Sequence, residues 1–183
     1  MKKLILIGVI MISSTASFAQ NYITRTGKII FNATSKKSPE KIEGINNEVA
    51  NILDTRTGKI VFQVLIKSFK FEKELMQEHF NENYMESNKY PKADFKGNIT
   101  NINEVNFSKD GVYSIKTAGQ LTIHGITSDV TIPGTLTVKG NTITAKAQFS
   151  ILLKDYKIEI PSLVSDKVSN EATITIESNL NQK

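Results

Sequence analysis

The sequence predicts an all-β protein, an antiparallel barrel of about eight strands with one short helix inserted after the third or fourth strand. Three observations support this prediction. Apolar and polar residues alternate along most of the chain after Gln20, which is typical of strands with one buried face. Turn signals, among them Asp-Gly and Pro-Gly pairs, separate the alternating stretches at short intervals. The alternation is interrupted within residues 69–97, where helical spacing replaces it.

The first residues are typical of a secretory signal peptide. Lys2-Lys3 forms a positive segment, Leu4–Ile12 is apolar but too short for a stable membrane anchor, and Ser17-Phe18-Ala19 fits a cleavage site. We therefore expect residues 1–19 to be removed and residues 20–183 to form one exported domain. An uncleaved N-terminal anchor is the alternative. No later segment has the length and apolarity of a transmembrane helix.

Composition removes several functional classes. The chain has no Cys, so disulfides, thiolate zinc sites and thiol catalysis are excluded. Its formal net charge is +5, but the lysines are scattered between core positions and do not form a stripe with exposed aromatic residues. Nucleic-acid binding is therefore not expected.

Several predicted strands have one clear apolar face. These faces carry Ile60, Phe62, Val64 and Ile66; Ala93, Phe95 and Gly97; Leu121 and Ile123; Ala145, Ala147, Phe149 and Ile151; and Ala172, Ile174 and Ile176. The first face shifts by one residue near Lys67-Ser68 to continue at Phe69 and Phe71. A β-bulge there would keep these side chains on one side of the sheet. A strand that simply ends at Ile66 is the alternative.

Two eight-residue segments are nearly identical. Thr24–Phe31 reads TRTGKIIF and Thr55–Phe62 reads TRTGKIVF. A duplicated hairpin would produce this similarity, but Arg-Thr-Gly is also ordinary turn chemistry. The similarity does not extend beyond the eight residues, which favours the second interpretation.

The helix is predicted within Phe71–Ser87 at its widest. Leu75, Met76, Phe80 and Tyr84 lie roughly on one helical face, and glutamates occupy the others. Such a helix either covers an open end of the barrel with no further role or contacts a ligand inside it.

The inventory of catalytic residues is small. His79 has Glu82 one turn away but no second His nearby, so we expect a solvated side chain and no metal site. His124 is expected to face solvent or to bond within a turn. Asp155, which with Tyr156 opens a short apolar run, is the third candidate. Nucleophile elbows and nucleotide-binding loops are absent from the sequence, so we do not expect an enzyme.

The predicted interior mixes large and small apolar residues. Large phenylalanines share the inward face with Ala93, Gly97, Ala145 and Ala147. The small residues either leave a void for a ligand or accept a neighbouring phenylalanine, because small barrels are either filled or hold one small ligand.

Several motifs together resemble the YceI-like family. They are Met76-x-x-His79-Phe80; Tyr90-Pro91-Lys92-Ala93-x-Phe95-x-Gly97; Gly119-x-Leu121-Thr122-Ile123-His124-Gly125-Ile126-Thr127; Val130-x-Ile132-Pro133-Gly134; and Asp155-Tyr156-x-Ile158-x-Ile160-Pro161. The resemblance covers roughly residues 62–176. It implies an extended, lipocalin-like β-barrel in the periplasm, occupied by an isoprenoid or a similar long-chain amphiphile.

The expected function is therefore a soluble periplasmic carrier of such a lipid; secretion from the cell is the alternative location. The residues expected to contact the hydrocarbon tail of the ligand are Phe62, Phe69, Phe71, Phe95 and Phe149. Met76 and Phe80 are expected to close one end of the barrel. No cofactor is expected beyond a bound isoprenoid, quinone or fatty-acid-like molecule, and the protein is expected to be a monomer or a homodimer. The alternative function is a cell-envelope interaction module with a filled barrel and no lipid. A lipocalin-type enzyme acting on a lipid or quinone is a third alternative.

Overall fold

The computed structural model describes residues 21–183, so the predicted signal peptide at residues 1–19 lies outside the described residues. The described chain forms one antiparallel sheet of nine strands, eight of them long, with one short α-helix after the fourth strand. The elements are β1 (Asn21–Thr34), β2 (Glu43–Asp54), β3 (Lys59–Leu65), β4 (Lys70–Phe71), α1 (Glu74–His79), β5 (Lys92–Ile99), β6 (Gly111–Ile123), β7 (Ile126–Lys139), β8 (Thr142–Leu152) and β9 (Val168–Gln182). The predicted all-β barrel with one inserted helix is confirmed.

The sheet closes into a barrel because β1 pairs with β9 on one side and with β2 on the other. Between these pairings the strand order is β9-β8-β7-β6-β5-β3-β2, and every neighbouring pair is antiparallel. Closure pairs the backbone groups that an open sheet would leave exposed at its edges. Two register shifts in β1, on either side of Gly27, supply part of the bending that closure requires.

Side chains fill the end of the barrel at which β1 begins. Tyr22 lies opposite Leu53 in the β1–β2 register, and Ile143 lies opposite Leu180 in the β8–β9 register. All four side chains are buried, and Leu136 of β7 is buried among the same core residues. Space for a ligand must therefore lie towards the other end, where β3 ends, β5 begins and α1 is inserted.

The predicted β-bulge at Lys67-Ser68 is wrong. Strand β3 ends at Leu65, and Ile66–Ser68 forms a 3₁₀ turn that leads into the short β4. The change of phase has the predicted consequence nonetheless, because Ile66 and Phe69 are both buried against the core. Like a bulge, the tight turn shifts by one residue which side chains face the interior. It also lets β4 pair with the beginning of β2.

The helix is shorter than its widest predicted range. α1 spans Glu74–His79 and continues directly into a π-helical turn, Phe80–Tyr84. Three more 3₁₀ turns, Ile102–Glu104, Leu153–Tyr156 and Ser162–Val164, join the later strands. No helix within residues 21–183 has the length and apolarity needed to cross a bilayer.

Candidate functional site

The hollow half of the barrel contains an apolar cavity, here called the inner chamber. It has a volume of about 120 Å³ and is lined almost entirely by carbon atoms. Four of the predicted residues line it: Phe62, Phe69, Phe95 and Phe149. Between the phenylalanines, the small residues Ala93, Gly134, Ala145 and Ala147 line the wall and leave the space unfilled.

A second cavity, the outer chamber, lies next to the first beneath the helix. Its volume is about 350 Å³. Its wall comes from α1, from the β1–β2 connection and from the β8–β9 connection, and it includes Phe71 and Met76. Both volumes are well above the roughly 10–15 Å³ that suffices for one water molecule. The outer chamber also falls within the usual size range of ligand pockets, about 300–1,000 Å³.

Phe80 stands at the junction of the two chambers and lines both. Its ring contacts those of Phe31, Phe69 and Phe71, with centroids 5.5, 5.4 and 4.8 Å apart. The first residue of the π turn thus completes an aromatic cluster across the barrel. The two chambers also share Met85, Leu153 and Ile158 in their walls. They are therefore adjacent compartments separated by one side-chain layer.

All seven predicted ligand-contacting residues thus line one chamber or the other. That they contact a ligand stays a prediction. The sequence analysis missed Phe31, which lines both chambers. A signal was available, because Phe31 and Phe62 end the two similar segments TRTGKIIF and TRTGKIVF, and both side chains line the inner chamber.

Four ionisable residues line the outer chamber. Glu40, Lys73 and Lys167 come from three different connections, and His79 joins them from α1. Lys73 donates a hydrogen bond to Glu40, and this contact holds the pKa of the Glu40 carboxyl below its ordinary value and raises the pKa of Lys73. The charge of Lys167 lowers the pKa of Glu40 further. The site therefore has an apolar interior and a charged rim.

His124 is buried and contacts residues outside its own turn, so the expectation that it faces solvent or bonds within a turn is wrong. Its Nδ1–H donates to the backbone carbonyl of Tyr156 at 3.0 Å, and its Nε2 lies 2.9 Å from a carboxylate oxygen of Glu86. The ring also packs edge-on against Tyr90, with centroids 4.6 Å apart. His124 thereby joins the β6–β7 turn to the segment after the helix and to the segment after β8.

The other catalytic candidates are not brought together. His79 is exposed on the outer chamber, whereas Asp155 is exposed and lines neither chamber. Burial raises the pKa of the Tyr156 hydroxyl, and a hydrogen bond with Ser128 opposes that shift. Within residues 21–183, no group of three His, Cys, Asp or Glu side chains could hold a metal ion.

The fold and the site define a class of protein, a small closed antiparallel β-barrel with an apolar chamber beneath a short helix. Within that class, a family model described as the YceI-like domain matches residues 15–180. The chain belongs to the YceI-like family. A comparison with curated proteins finds no match.

Solved structures share the fold at low sequence identity. A polyisoprenoid binding domain from Saccharophagus degradans, implicated in plant cell wall breakdown, matches with a TM-score of 0.77 and 11% identity, covering 91% of this chain and 100% of that one. BcnA from Burkholderia cenocepacia matches with a TM-score of 0.67 and 18% identity over 84% of this chain and 95% of that one. A YceI protein from Campylobacter jejuni gives 0.61 and 18% over 80% and 88%. These similarities support the barrel fold of this chain.

Proposed function

We propose that this protein binds one long-chain amphiphilic lipid, an isoprenoid or a similar molecule, inside the barrel and carries it through the periplasm. The observation that carries the proposal is the pair of adjacent chambers, the inner one apolar and the outer one rimmed with charge. An apolar chain gains about 0.8 kcal/mol for each CH₂ group transferred from water into such an interior. The rim offers the polar end of an amphiphile a place close to water.

The comparisons support the lipid class. The Saccharophagus degradans domain with the same fold is described as polyisoprenoid binding, and the family of this chain is the YceI-like family. The periplasmic location rests on the signal-peptide pattern of residues 1–19, with secretion from the cell as the alternative. A role as a carrier, and not as an enzyme, agrees with the dispersed positions of His79, His124 and Asp155.

The filled-barrel interaction module is the weaker candidate. It requires side chains to occupy the interior throughout, as they do around Leu53 and Leu180. In the other half, Ala145 and Ala147 leave space that no neighbouring phenylalanine enters. The cavity volumes therefore favour the carrier.

Native mass spectrometry tests the proposal directly. The full chain is expressed with its own export signal, purified without detergent and measured with and without organic extraction. We expect a discrete added mass that extraction releases and that is identified as a prenyl chain or a fatty acid. A bare protein mass, unchanged after incubation with quinones and fatty acids, would overturn the carrier.

Two variants, one that fills the inner chamber and one that adds the same ring outside it, test whether the ligand occupies this chamber. Ala147 lines the chamber, whereas the neighbouring Gln148 is exposed on the outer face of the same strand. We expect Ala147→Phe to abolish the added mass in a folded protein, because the new ring occupies the chamber. Gln148→Phe adds the same ring outside and should retain the ligand. Equal lipid content in the two folded variants would contradict this assignment.

A further inference from the structure

The charges around the outer chamber are unequal. Lys73, Lys167 and Glu40 line it, which leaves one positive charge uncompensated when His79 is neutral. Lys73 is already paired with Glu40, and among the described residues no ion pair engages Lys167. Further carboxylates lie nearby in the chain but outside the lining: Glu72 and Glu74 flank Lys73, and Asp166 pairs with Lys37 at 4.0 Å.

The lysines are placed as the head-group contacts of an amphiphile would be. Both residues line the same wall as Met76 and Val164, and both are exposed, so a long side chain can cover apolar surface there and keep its charge near water. A ligand whose chain lies deeper in the barrel would present its polar end at this level. A neutral alcohol or amide there would leave the charge of Lys167 without a partner, whereas an anionic oxygen would pair with it.

We propose that the bound lipid has an anionic head group, a carboxylate or a phosphate, and that Lys167 and Lys73 bind it at the rim of the outer chamber. This inference rests on the proposed lipid-binding function and names the class of its ligand. The charges of both lysines lower the pKa of Glu40, so its carboxylate interacts with both of them. It therefore competes with the head group for Lys73, and head-group binding draws Lys73 away from Glu40.

Three probes with one hydrocarbon chain test the head group alone. Oleate, oleyl phosphate and oleyl alcohol are titrated by calorimetry, below their aggregation limits, into protein freed of lipid by organic extraction. We expect oleate and oleyl phosphate to bind about three- to tenfold more tightly than oleyl alcohol, which is the range of a partly exposed charge contact. The preference should shrink as salt is added, because the contact is screened.

Charge-neutralising variants separate the contributions of the rim residues. Lys167→Gln should remove most of the preference for oleate over oleyl alcohol. Glu40→Gln should raise the affinity for oleate, because it releases Lys73 from its competitor. Lys154→Gln is the matched control, since Lys154 is exposed and lines neither chamber.

The outcomes distinguish this inference from the proposed function. Equal binding of oleate and oleyl alcohol by the wild-type protein would overturn the anionic head group and leave the lipid carrier standing. Weaker oleate binding by Glu40→Gln would also overturn it, because a purely structural role for the Glu40–Lys73 pair predicts that sign. Failure of all three probes to bind would overturn this inference, whereas the carrier is tested separately by the native mass spectrum.

Discussion

Phe80 occupies the most connected position in the site. It contacts three phenylalanines, lines both chambers and is 6% exposed. Its neighbours come from β1, from the turn after β3 and from β4, so one ring links three parts of the wall. A ligand that extends from the outer chamber into the inner one must pass this ring.

Replacing Phe80 with Ala should therefore cost stability and join the two chambers. Phe→Ala changes in protein cores cost about 3–5 kcal/mol, and we expect a loss in the free energy of unfolding at the lower end, about 3 kcal/mol. Urea denaturation measures it. Leu163→Ala is the control, since Leu163 is 95% exposed and should change stability by less than about 0.5 kcal/mol. A loss below about 1 kcal/mol for Phe80→Ala would show that the ring is not part of the packed core.

The apolar residues of the site could be predicted from sequence, but the charged ones could not. Phe95 and Phe149 lie on the apolar face of their strands, where alternate side chains point inward because the strand is pleated. Glu40, Lys73 and Lys167 lie in irregular connections with no period, and only the closure of the barrel brings them to one rim. Their association is a property of the tertiary fold.

The segment from α1 to the start of β5 is held at both of its ends. Near its beginning, Lys73 pairs with Glu40 of the β1–β2 connection, and near its end Glu86 contacts His124 of the β6–β7 turn. Among the described residues other than glycine, Glu86, His124 and Lys157 have positive φ angles. Glu86 and His124 contact each other, and Lys157 follows the residue whose carbonyl His124 binds. The left-handed backbone is concentrated where three segments meet.

We expect His124→Ala to loosen the end of this segment. Loss of the ring leaves the carbonyl of the buried Tyr156 without its donor, at a cost of about 1–3 kcal/mol, and removes the contact with the exposed Glu86. The amides of Met85, Ser87 and Tyr90, which donate within residues 80–90, should exchange with solvent about tenfold faster. Hydrogen–deuterium exchange measured by NMR resolves them.

The matched control for this prediction is His79→Ala. His79 is also a histidine of the same region, but it is exposed and makes no comparable contact with Glu86 or Tyr156. Its exchange pattern should match the wild type. Unchanged exchange at Met85, Ser87 and Tyr90 in His124→Ala would mean that other contacts hold the segment.

The elements themselves were predictable to different degrees. Long strands such as β6 and β8 show their alternation clearly, because one face meets the interior and the other meets water. The helix ends inside its widest predicted range, because a π turn follows His79 and breaks the helical period. The turn at Ile66–Ser68 and a bulge both shift the apolar face by one residue. The sequence pattern shows this shift but not which of the two structures produces it.

The barrel as a whole is divided into a filled half and a hollow half. Strand parity predicts which residues point inward, but it does not say whether opposing side chains meet. At the filled end Leu53, Leu136, Ile143 and Leu180 are large, and each is completely buried. In the hollow half Ala147 faces Gly134 across β7–β8 and leaves a gap. The difference depends on closure distances, which a strand pattern does not contain.

Because side chains line the hollow half without filling it, a ligand should contribute directly to the stability of the molecule. Ligand at a hundred times its dissociation constant stabilises the folded state by about 2.7 kcal/mol. For a domain of this size that corresponds to a rise in Tm of about 5–10 °C.

Calorimetry before and after organic extraction, and again after adding back the extracted lipid, measures this shift. We expect Tm to fall on extraction and to recover, while Ala147→Phe, whose new ring replaces the ligand, should show one Tm throughout. A wild-type Tm that does not respond to extraction or to added lipid would mean that the hollow half is stable empty and that lipid does not bind there.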